Sequence, residues 1–430
     1  MIIVIGGGPA GRMAALRLAD AGREVTIIEK RQLGGQCVFD GCMLVCGLND
    51  AARAITSAEH LKDLGVLSGG MTVEYPALIE KLEATQQRLS HILDRETTGS
   101  GVKVEYGKSA EVHDGAVYVD GKRRDAEAVI IATGAQLNLP DVPGIKMQGV
   151  YTPRSIRTMR ELPKKMVIVG GSISGAEFAY IYAAFGVEVT LVVRSDLLKM
   201  LPDSLRADAR RDLAKVRILE HASLTSVNGS DGAVESVTVS GETIACDAVL
   251  CATGFVPAAP YVTGVAKRAD GSIITDPVTM ETSVPHVYAA GDVCGAPYFT
   301  PVSRLQGFAA ADAILGNPHA INLSQIPFTV VLGRDYTVCP AIEPGTTAKM
   351  PNIAGPGAFW NVIDKSIGHM ELTTSSEGKL LGFASSSPSG GLVGTYLGYL
   401  VRKGVTVHEF SPLLEVHPVA DGLYSMIRFS

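Results

Sequence analysis

The sequence predicts an α/β protein in which two doubly wound, Rossmann-like parallel sheets precede a C-terminal α+β domain. The first reason is a pattern of strand, glycine turn, helix and strand that occurs twice, from Ile2 to Glu29 and from Met166 to Val193. Apolar, β-branched runs that alternate with helical stretches are typical of buried parallel strands. The second reason is a change of composition beyond Pro327, where a stretch rich in Gly, Ser and Pro (385–391) occurs among apolar runs. We therefore expect the terminal domain to begin near residue 326.

Each copy of the repeat contributes two strands and one helix. The predicted elements are a strand at Ile2–Ile5, a helix ending at Ala21 and a strand at Val25–Glu29, then a strand at Met166–Val169, a helix ending at Phe185 and a strand at Val187–Val193. After each copy, glycine-containing turns between short alternating segments predict antiparallel hairpins, at 112–121 and 228–241. Each hairpin region ends in an apolar strand that closes on the tripeptide Ala-Thr-Gly, at 132–134 and 252–254.

The composition excludes several classes of protein. A chain of 430 residues predicts about two to four domains, and 46% hydrophobic with 19% charged residues excludes a disordered chain. The 38 Lys and Arg residues are outnumbered by 44 Asp and Glu, so no basic surplus exists to bind nucleic acid or an anionic membrane. No run reaches about 18 unbroken apolar residues, and no targeting segment precedes the first strand. We therefore expect a cytoplasmic protein with neither a nucleic-acid nor a membrane partner.

The first glycine turn has the pattern of a dinucleotide-binding site. In Gly6-x-Gly8-x-x-Gly11 the first glycine permits a tight turn, the second lets a pyrophosphate approach the backbone, and the third lets the helix pack on the strand. Glu29 ends the next strand, where a carboxylate can bind the hydroxyl groups of a ribose. Because strand, glycines, helix, strand and acid follow in this order, we predict a dinucleotide site here.

The second glycine turn departs from this pattern. Ser172 replaces the middle glycine between Gly170 and Gly175, and the next strand ends at Val193-Arg194 without an acid. Loss of the carboxylate removes repulsion toward a 2′-phosphate and Arg194 can pair with that phosphate, which favours NADPH over NADH. The alternative is an ordinary surface arginine after a strand. Ser172 also adds a hydroxymethyl group where the nucleotide approaches most closely, so weaker nucleotide binding is a second alternative.

Three of the seven cysteines lie close together, at Cys37, Cys42 and Cys46. Cys37 and Cys42 precede a predicted helix (43–54), so they can pair across one turn at its start. The free N–H groups and positive dipole end of that helix lower the expected pKa of Cys42 and favour its thiolate, which suits a redox disulfide. Zinc needs further ligands that no nearby His or second Cys pair supplies, so we predict no metal; inert buried thiols are the remaining alternative. Cys46 lies on the same helix face as Cys42 and either exchanges with it or packs in the core.

Together with motifs further along the chain, these segments resemble the FAD-dependent pyridine nucleotide-disulfide oxidoreductases, the family of dihydrolipoamide dehydrogenase, glutathione reductase and mercuric reductase. The resemblance extends over the whole chain. The matching segments are Gly6–Gly11 with Glu29, Gly34–Cys42, Gly170–Glu177, Val287–Asp292, Thr300–Gly307 and His417-Pro418.

The resemblance implies bound FAD and NADP, with NAD as the alternative, and a small-molecule disulfide or thiol as substrate. It implies that electrons pass from NAD(P)H through the flavin to a Cys37–Cys42 disulfide and then to the substrate. Cys37 is then the interchange thiol and Cys42 the charge-transfer thiolate against the flavin. His417 is the expected acid–base group, supplied across a homodimer interface that the terminal domain forms.

The resemblance also implies a domain division and a set of cofactor-binding residues. The FAD-binding domain is expected in two parts, 1–145 and 256–325, with an NAD(P)-binding domain at 146–255 and a dimerisation domain at 326–430. The expected cofactor-binding residues are Gly6, Gly8, Pro9, Ala10, Gly11, Glu29, Lys30, Gly35, Gln36, Ala132, Thr133, Gly134, Gly170, Ser172, Ile173, Ser174, Gly175, Glu177, Arg194, Thr253, Gly254, Gly291, Asp292, Thr300 and Pro301.

Two segments depart from the family pattern. The family usually has Ile-Pro-Ser-Lys after its second cysteine, whereas this chain has Met-Leu-Val-Cys ending at Cys46, so Glu177 lacks a lysine partner. A carboxyl group without that partner near a flavin has a raised pKa, and we expect Glu177 to be protonated or differently bonded. The family's His-Pro-Thr-x-x-Glu becomes the segment from His417 to Gly422, without the orienting glutamate. Asp421, one helical turn after His417, is the expected substitute.

We therefore expect a cytoplasmic, homodimeric flavoprotein that uses NADPH to reduce a small disulfide. The main alternative keeps the fold but passes electrons to a quinone, a metal ion or oxygen, or receives them from a ferredoxin-like donor, with the thiols secondary. A third hypothesis is a subunit whose main role is docking in a lipoyl-bearing complex, although the sequence has no mobile docking tail.

Overall fold

The structure, a computed structural model, describes residues 1–410, 412, 414 and 416–418. Its helices are α1 (Pro9–Asp20), α2 (Gly35–Phe39), α3 (Cys42–Asp63), α4 (Tyr75–Gly99), α5 (Ile173–Ala184), α6 (Asp203–Asp212), α7 (Thr300–Ile314) and α8 (Gly390–Lys403). Its strands are β1 (Ile2–Ile5), β2 (Val25–Glu29), β3 (Lys103–Tyr106), β4 (Ala110–His113), β5 (Ala116–Val119), β6 (Lys122–Arg124), β7 (Ala128–Ile131), β8 (Ala135–Leu137), β9 (Val150–Tyr151), β10 (Lys165–Val169), β11 (Glu188–Val193), β12 (Arg217–Glu220), β13 (Leu224–Ser230), β14 (Ala233–Val239), β15 (Glu242–Ala245), β16 (Ala248–Cys251), β17 (Phe255–Pro257), β18 (Val262–Thr263), β19 (Val287–Ala289), β20 (Phe328–Val331), β21 (Asp335–Cys339), β22 (Thr346–Pro351), β23 (His369–Thr374) and β24 (Leu380–Ser387).

The first parallel sheet has the strand order β19-β7-β1-β2-β3. In the central strand β1, Ile3 is paired with Thr26 on one side and with Val129 on the other. Ile2 and Val4 pack against alanines of α1 and α7, whereas Ile3 and Ile5 pack against valines of β4 and β5. Helices therefore cover one face and a hairpin sheet covers the other, which explains why every residue of β1 is buried.

The second parallel sheet repeats this arrangement, with the order β12-β11-β10-β16-β9. Met166 and Ile168 of β10 pack toward α5, while Val167 and Val169 pack against the antiparallel sheet β13-β14-β15. The predicted repeat of strand, glycine turn, helix and strand is thus confirmed in both copies. In each copy the second covering layer is a hairpin sheet instead of the helices of a fully doubly wound domain, because the chain forms hairpins before its last strand.

The two Ala-Thr-Gly turns lie side by side. Each turn follows the last strand of its region, and the short strands that come next, β8 and β17, form an antiparallel pair. Across this pair, Ala135 is opposite Pro257 and Leu137 is opposite Phe255. Residues more than a hundred positions apart in sequence therefore form one connection between the two halves of the molecule.

The C-terminal part contains the predicted α+β arrangement. Its antiparallel sheet has the order β20-β21-β24-β23-β22, and α8 packs on it through Val393, Leu397 and Val401, which contact Phe383 and Met370 of the same core cluster. Gly398 allows α8 to lie close to Pro327 at the start of this region.

Polar side chains dock this terminal sheet onto the rest of the protein. The guanidinium of Arg53 on α3 donates to the carbonyl oxygen of Leu332 (2.6 Å) and to Asp335 Oδ1 (2.8 Å). On the opposite side, Ser386 Oγ donates to Asp208 Oδ2 of α6 (2.8 Å). These contacts are buried or half-buried and therefore hold α3, α6 and the terminal sheet in one arrangement.

Candidate functional site

The first glycine turn joins β1 to α1, and its backbone is packed so closely that Gly6 and Gly11 could not carry a side chain. Gly6 has a φ of 104°, and a Cβ on Gly11 would lie 2.0 Å from the carbonyl oxygen of Gly6. At Gly8, by contrast, no atom lies within 4 Å of the position that a Cβ would take, so the backbone there is open to a ligand. Because the helix N-terminus also offers free N–H groups, this turn can bind a pyrophosphate.

Glu29 lies at the end of β2 beside this turn and is buried. Its Oε2 accepts a hydrogen bond from the backbone N–H of Gly7, and its Oε1 accepts one from the N–H of Arg31, both at 2.7 Å. These two bonds fix the orientation of the carboxylate, which retains lone pairs for the hydroxyl groups of a ribose.

The residues around the turn fit FAD by an observation independent of the motif. Thr133 Oγ1 is buried and has no hydrogen-bond partner within the described residues, and the adjoining Gly134 has open space where a side chain would begin. A buried polar atom of this kind is normally satisfied by a bound group. The other predicted residues in this region are Pro9 and Ala10 in the first turn of α1, Lys30 after Glu29, Gly35 and Gln36 in α2, and Ala132 after β7.

A second group of predicted residues lies where α7 packs against α1. Asp292 accepts a hydrogen bond from Ser303 Oγ (3.2 Å), and burial raises the pKa of Asp292. The N–H of Gly291 donates to Gln306 Oε1 of α7 (2.8 Å). Sequence reasoning missed Gln306, although it falls within the Thr300–Gly307 segment that matches the family, and it fixes the turn that carries Asp292.

The predicted thiol pair lies at a break between two helices. α2 ends at Phe39, α3 begins at Cys42, and the chain turns through Asp40 and Gly41. Both cysteines are free thiols; Cys37 is half-buried and Cys42 is accessible to solvent. The turn brings the two thiols close enough for each to act on the pKa of the other.

The two thiols of this pair act on each other's pKa. The hydrogen bond from Cys42 lowers the pKa of Cys37 to about 6, assisted by a contact with Thr300 and by the positive charge of Arg304. The same hydrogen bond, together with desolvation by surrounding atoms, raises the pKa of Cys42. Because the two thiols titrate as a coupled pair, the negative charge belongs to the pair, and the role of Cys42 as the thiolate against the flavin stays a prediction.

Thr300 connects the thiols to the second group of residues. It is the first residue of α7, followed by the predicted Pro301, and its Oγ1 lies 3.7 Å from Cys42 Sγ. The N-terminus of α7 therefore points toward the thiol pair, where its dipole favours negative charge.

Asp40, between the two cysteines, is the centre of an ion cluster that sequence reasoning missed. Its buried carboxylate is 3.1 Å from Arg31 Nη2, 3.1 Å from Arg154 Nε and 3.5 Å from Arg157 Nη2. Three guanidinium groups around one carboxylate fasten the thiol turn to β2 and to the connection that leads into the second parallel sheet. In the sequence, the one indication of this cluster is the position of Asp40 inside the cysteine motif. Two of its arginine partners, Arg154 and Arg157, lie more than a hundred residues away along the chain.

Glu177 is buried on α5 and bonds to the terminal sheet. Its Oε1 accepts a hydrogen bond from the N–H of Val331 (3.0 Å), and burial raises the pKa of Glu177 to about 8. Glu177 is thus bonded to the backbone of the terminal sheet, and its raised pKa favours the protonated form that we expect. Cys46 lies close enough for Cys42 and Glu177 to act on it, and burial followed by these charges raises the pKa of Cys46. Its sulfur is therefore a weaker nucleophile than Cys37.

The second glycine turn has the backbone geometry of the first. Gly170 has a φ of 131°, and a Cβ on Gly175 would lie 1.7 Å from the carbonyl oxygen of Gly170. Ser172 is exposed at the N-cap of α5 and its hydroxyl makes no capping bond, so it remains free to meet a ligand. Arg194 is exposed directly after β11. The other predicted residues here are Ile173 and Ser174 in the first turn of α5, and Thr253 and Gly254 in the second Ala-Thr-Gly turn.

The C-terminal motif is only partly described. His417 is exposed, and Asp421 lies outside the described residues. Within the part of the chain that the structure describes, no group of three or more His, Cys, Asp or Glu side chains has a geometry that could hold a metal ion.

A family model for pyridine nucleotide-disulphide oxidoreductases matches residues 1–307, well over half of the chain. The chain belongs to this family. Dihydrolipoyl dehydrogenase from Bacillus subtilis is 28% identical to this pyridine nucleotide-disulphide oxidoreductase over 441 residues, which cover 97% of this chain and 93% of that protein. Mercuric reductase from Shigella flexneri is 30% identical over 445 residues, which cover 96% of this chain and 77% of that protein.

Solved structures share the whole fold of this pyridine nucleotide-disulphide oxidoreductase. The HOCl-induced flavoprotein disulfide reductase RclA from Escherichia coli superposes with a TM-score of 0.87 at 22% identity, covering 100% of this chain and 99% of that one. LpdA from Mycobacterium tuberculosis superposes with a TM-score of 0.86 at 23% identity, covering 100% of both chains. Membership of the family makes the chain an enzyme, an FAD-dependent oxidoreductase of disulfide chemistry that uses NAD(P)H, and the predictions of fold, enzyme class and cofactors are confirmed.

Replacing Glu177 by Gln tests the buried carboxyl. Its folded-state pKa of about 8 exceeds the unfolded value of about 4.3, so the folded protein keeps a proton that the unfolded chain has lost between these values. The free energy of unfolding of the wild type therefore loses a contribution as the pH rises through this window. Glu177→Gln keeps an acceptor for the Val331 N–H without the titration, and relative to wild type it should gain roughly 3–4 kcal/mol between pH 5 and pH 8.

Urea unfolding of the two holoenzymes at several pH values measures this difference. Glu188→Gln, an exposed residue at the start of β11, is the control and should follow the wild type. Parallel pH profiles for wild type and Glu177→Gln would contradict the assignment.

Proposed function

We propose that this oxidoreductase reduces a small-molecule disulfide, or oxidises the corresponding thiol, through Cys37 and Cys42. The observation that carries the proposal is the thiol pair at the break between α2 and α3, where Cys42 Sγ lies 3.7 Å from Thr300 Oγ1 at the N-terminus of α7. The disulfide reductase named among the structural relatives supports this substrate class.

FAD, when bound, supplies two-electron transfer between NAD(P)H and the Cys37–Cys42 disulfide. In the reduced enzyme the Cys37 thiolate attacks one sulfur of the substrate disulfide, forming a mixed disulfide and releasing one substrate thiolate, which takes up a proton. Cys42, after losing its proton, attacks the Cys37 sulfur, forming the intramolecular disulfide and releasing the second thiolate. The sum is NAD(P)H, a proton and one disulfide giving NAD(P)⁺ and two thiols.

The protein's own groups would assist each transfer. Thr300, together with the dipole of α7, favours negative charge on the thiol pair. We assign proton transfer to His417 of the second subunit, with Asp421 as its orienting residue, because imidazole gives and takes protons near neutral pH. The glycine turn with Glu29, and Asp292, would bind FAD, whereas Gly170, Ser172 and Arg194 would bind the nicotinamide nucleotide.

We propose the division into FAD-binding parts 1–145 and 256–325, an NAD(P)-binding domain 146–255 and a dimerisation domain 326–430. The membership of β1, β7 and β19 in one sheet, and of β9, β10 and β16 in another, supports these boundaries. We further propose a cytoplasmic location, because the five cysteines other than Cys37 and Cys42 form no disulfide, as in reducing compartments. No helix within the described residues has the length and apolar character needed to cross a membrane.

A homodimer is proposed from the outer face of α8. The inner face of this helix packs on the terminal sheet, whereas Leu392, Tyr396 and Tyr399 on the outer face are exposed, Leu392 by 81%. A nearby turn exposes Phe359 and Ile363. Apolar side chains that share one such surface are typical of a protein interface, and the covering partner we propose is a second copy of this chain, which His417 requires.

The thiol assignment predicts the effect of replacing either cysteine. Cys37→Ser or Cys42→Ser should lower the rate of NADPH-dependent disulfide reduction by at least about 1,000-fold, because the exchange needs both sulfurs. Reduction of ferricyanide, which needs no thiol, should stay within about threefold. Cys46→Ser is the matched control, since its pKa is raised and it lies one turn away. Full disulfide reduction by the double variant would instead support an enzyme in which the thiols are secondary.

Arg194 predicts a preference for NADPH. Arg194→Leu should raise the KM for NADPH by about tenfold or more and leave the KM for NADH nearly unchanged, because only NADPH carries the phosphate that the guanidinium can bind. Steady-state kinetics with both nucleotides measure the effect, and Lys199→Leu, exposed five residues later, is the control. An unchanged ratio of the two KM values would contradict this role.

The dimer proposal predicts a coupled loss of assembly and activity. Leu392→Asp introduces a charge on the outer face of α8 and should give a monomer in sedimentation velocity. Because His417 would then be missing from the partner's site, disulfide reduction should fall while ferricyanide reduction persists. Leu67→Asp, at another exposed leucine, should remain dimeric. A monomeric wild type, or a fully active monomeric variant, would be incompatible with the proposal.

A further inference from the structure

Arg304 is an exposed cation beside the thiol pair that the sulfur exchange does not use. It lies on α7 four residues after Thr300, and residues at this spacing share one face of a helix. Thr300 Oγ1 is 3.7 Å from Cys42 Sγ, so the face that carries Arg304 is the face that approaches the thiols. The guanidinium has no ion-pair or hydrogen-bond partner among the described residues.

The charge of Arg304 acts on the thiol that meets the substrate. It contributes to the lowered pKa of Cys37, which is therefore within electrostatic reach of the guanidinium. The three guanidinium groups beside the thiol turn are engaged by Asp40, and Asp50 is a negative charge that acts on Cys46. Arg304 therefore supplies an unpaired positive charge within electrostatic reach of Cys37, the thiol that would meet the substrate.

An unpaired guanidinium in this position has a chemical consequence for the substrate. A negatively charged disulfide that approaches a thiolate on a chain of net charge −6 meets repulsion. Arginine can offset this repulsion and bind a carboxylate with two parallel hydrogen bonds, as few other side chains can. An uncharged disulfide gains nothing from the same group.

We propose that Arg304 binds a carboxylate group of the substrate and so selects anionic disulfides over neutral ones. This role rests on the proposed function of Cys37 and Cys42. Arg304 would thus determine which substrates bind near Cys37. The sulfur exchange itself would still be carried out by Cys37 and Cys42.

The test compares two aromatic disulfides of opposite character, the dianionic dithiobis(nitrobenzoate) and the uncharged dithiodipyridine, with the NADPH-driven holoenzyme. Arg304→Leu should lower kcat/KM for the dianion by about tenfold or more, and change that for the uncharged disulfide by less than about threefold. Arg304→Lys, which keeps the charge without the planar fork, should lose about threefold for the dianion. Arg88→Leu, at an exposed arginine of α4, should behave as wild type with both.

Added salt provides a second readout. The preference of the wild type for the dianion should weaken as ionic strength rises, whereas Arg304→Leu should show little salt dependence. An equal loss for both disulfides in Arg304→Leu would overturn the proposal, because Arg304 would then act only through the reactivity of Cys37. If the wild type reduces neither disulfide, the proposed function itself fails, and this outcome is distinct from the first.

Discussion

The close backbone contact inside the two glycine turns is the constraint on which the rest of the structure depends. In each turn the third glycine lies against the carbonyl oxygen of the first, so that a side chain on Gly11 or Gly175 would collide with backbone at 2.0 Å or 1.7 Å. Because glycine has no side chain, this contact is possible, and only a three-residue turn separates each strand, β1 or β10, from the helix that follows it, α1 or α5. Their N-termini then lie at the carboxyl edges of the two sheets, which is where dinucleotides bind in open α/β sheets.

The same principle of close approach brings the thiol pair to the first turn. Gly307 lets α7 lie so near α1 that a Cβ there would be 2.3 Å from the carbonyl oxygen of Ala10, and Gly35 lets the start of α2 pack against Gly8. α7 and the α2–α3 break therefore converge, and Thr300 contacts Cys42 although 258 residues separate them in sequence. The cluster of Asp40 with Arg31, Arg154 and Arg157 holds the turn between the cysteines from the opposite side.

α3 connects this chemistry to the terminal sheet. It begins at Cys42, and two to three turns later Asn49 and Arg53 donate to the carbonyl oxygen of Leu332, while Glu177 accepts from the adjacent Val331. A shift of the terminal sheet would break these half-buried and buried bonds, so the sheet that carries the exposed face of α8 is held in a defined position relative to the thiols.

The sequence by itself determined the two strand–turn–helix units, the hairpins after them and the α+β character of the terminal region, and it predicted the pairing of Cys37 with Cys42. These features are local: glycine spacing, apolar periodicity and turn residues act over fewer than about thirty positions. The tertiary structure alone decided that a hairpin sheet covers one face of each parallel sheet, that Gln306 holds Gly291, and that three arginines surround Asp40. It also decided that Thr300 contacts Cys42, and that Glu177 bonds to Val331. The physical reason is that pKa values and buried hydrogen bonds depend on desolvation and on charges from distant segments, which no local pattern specifies.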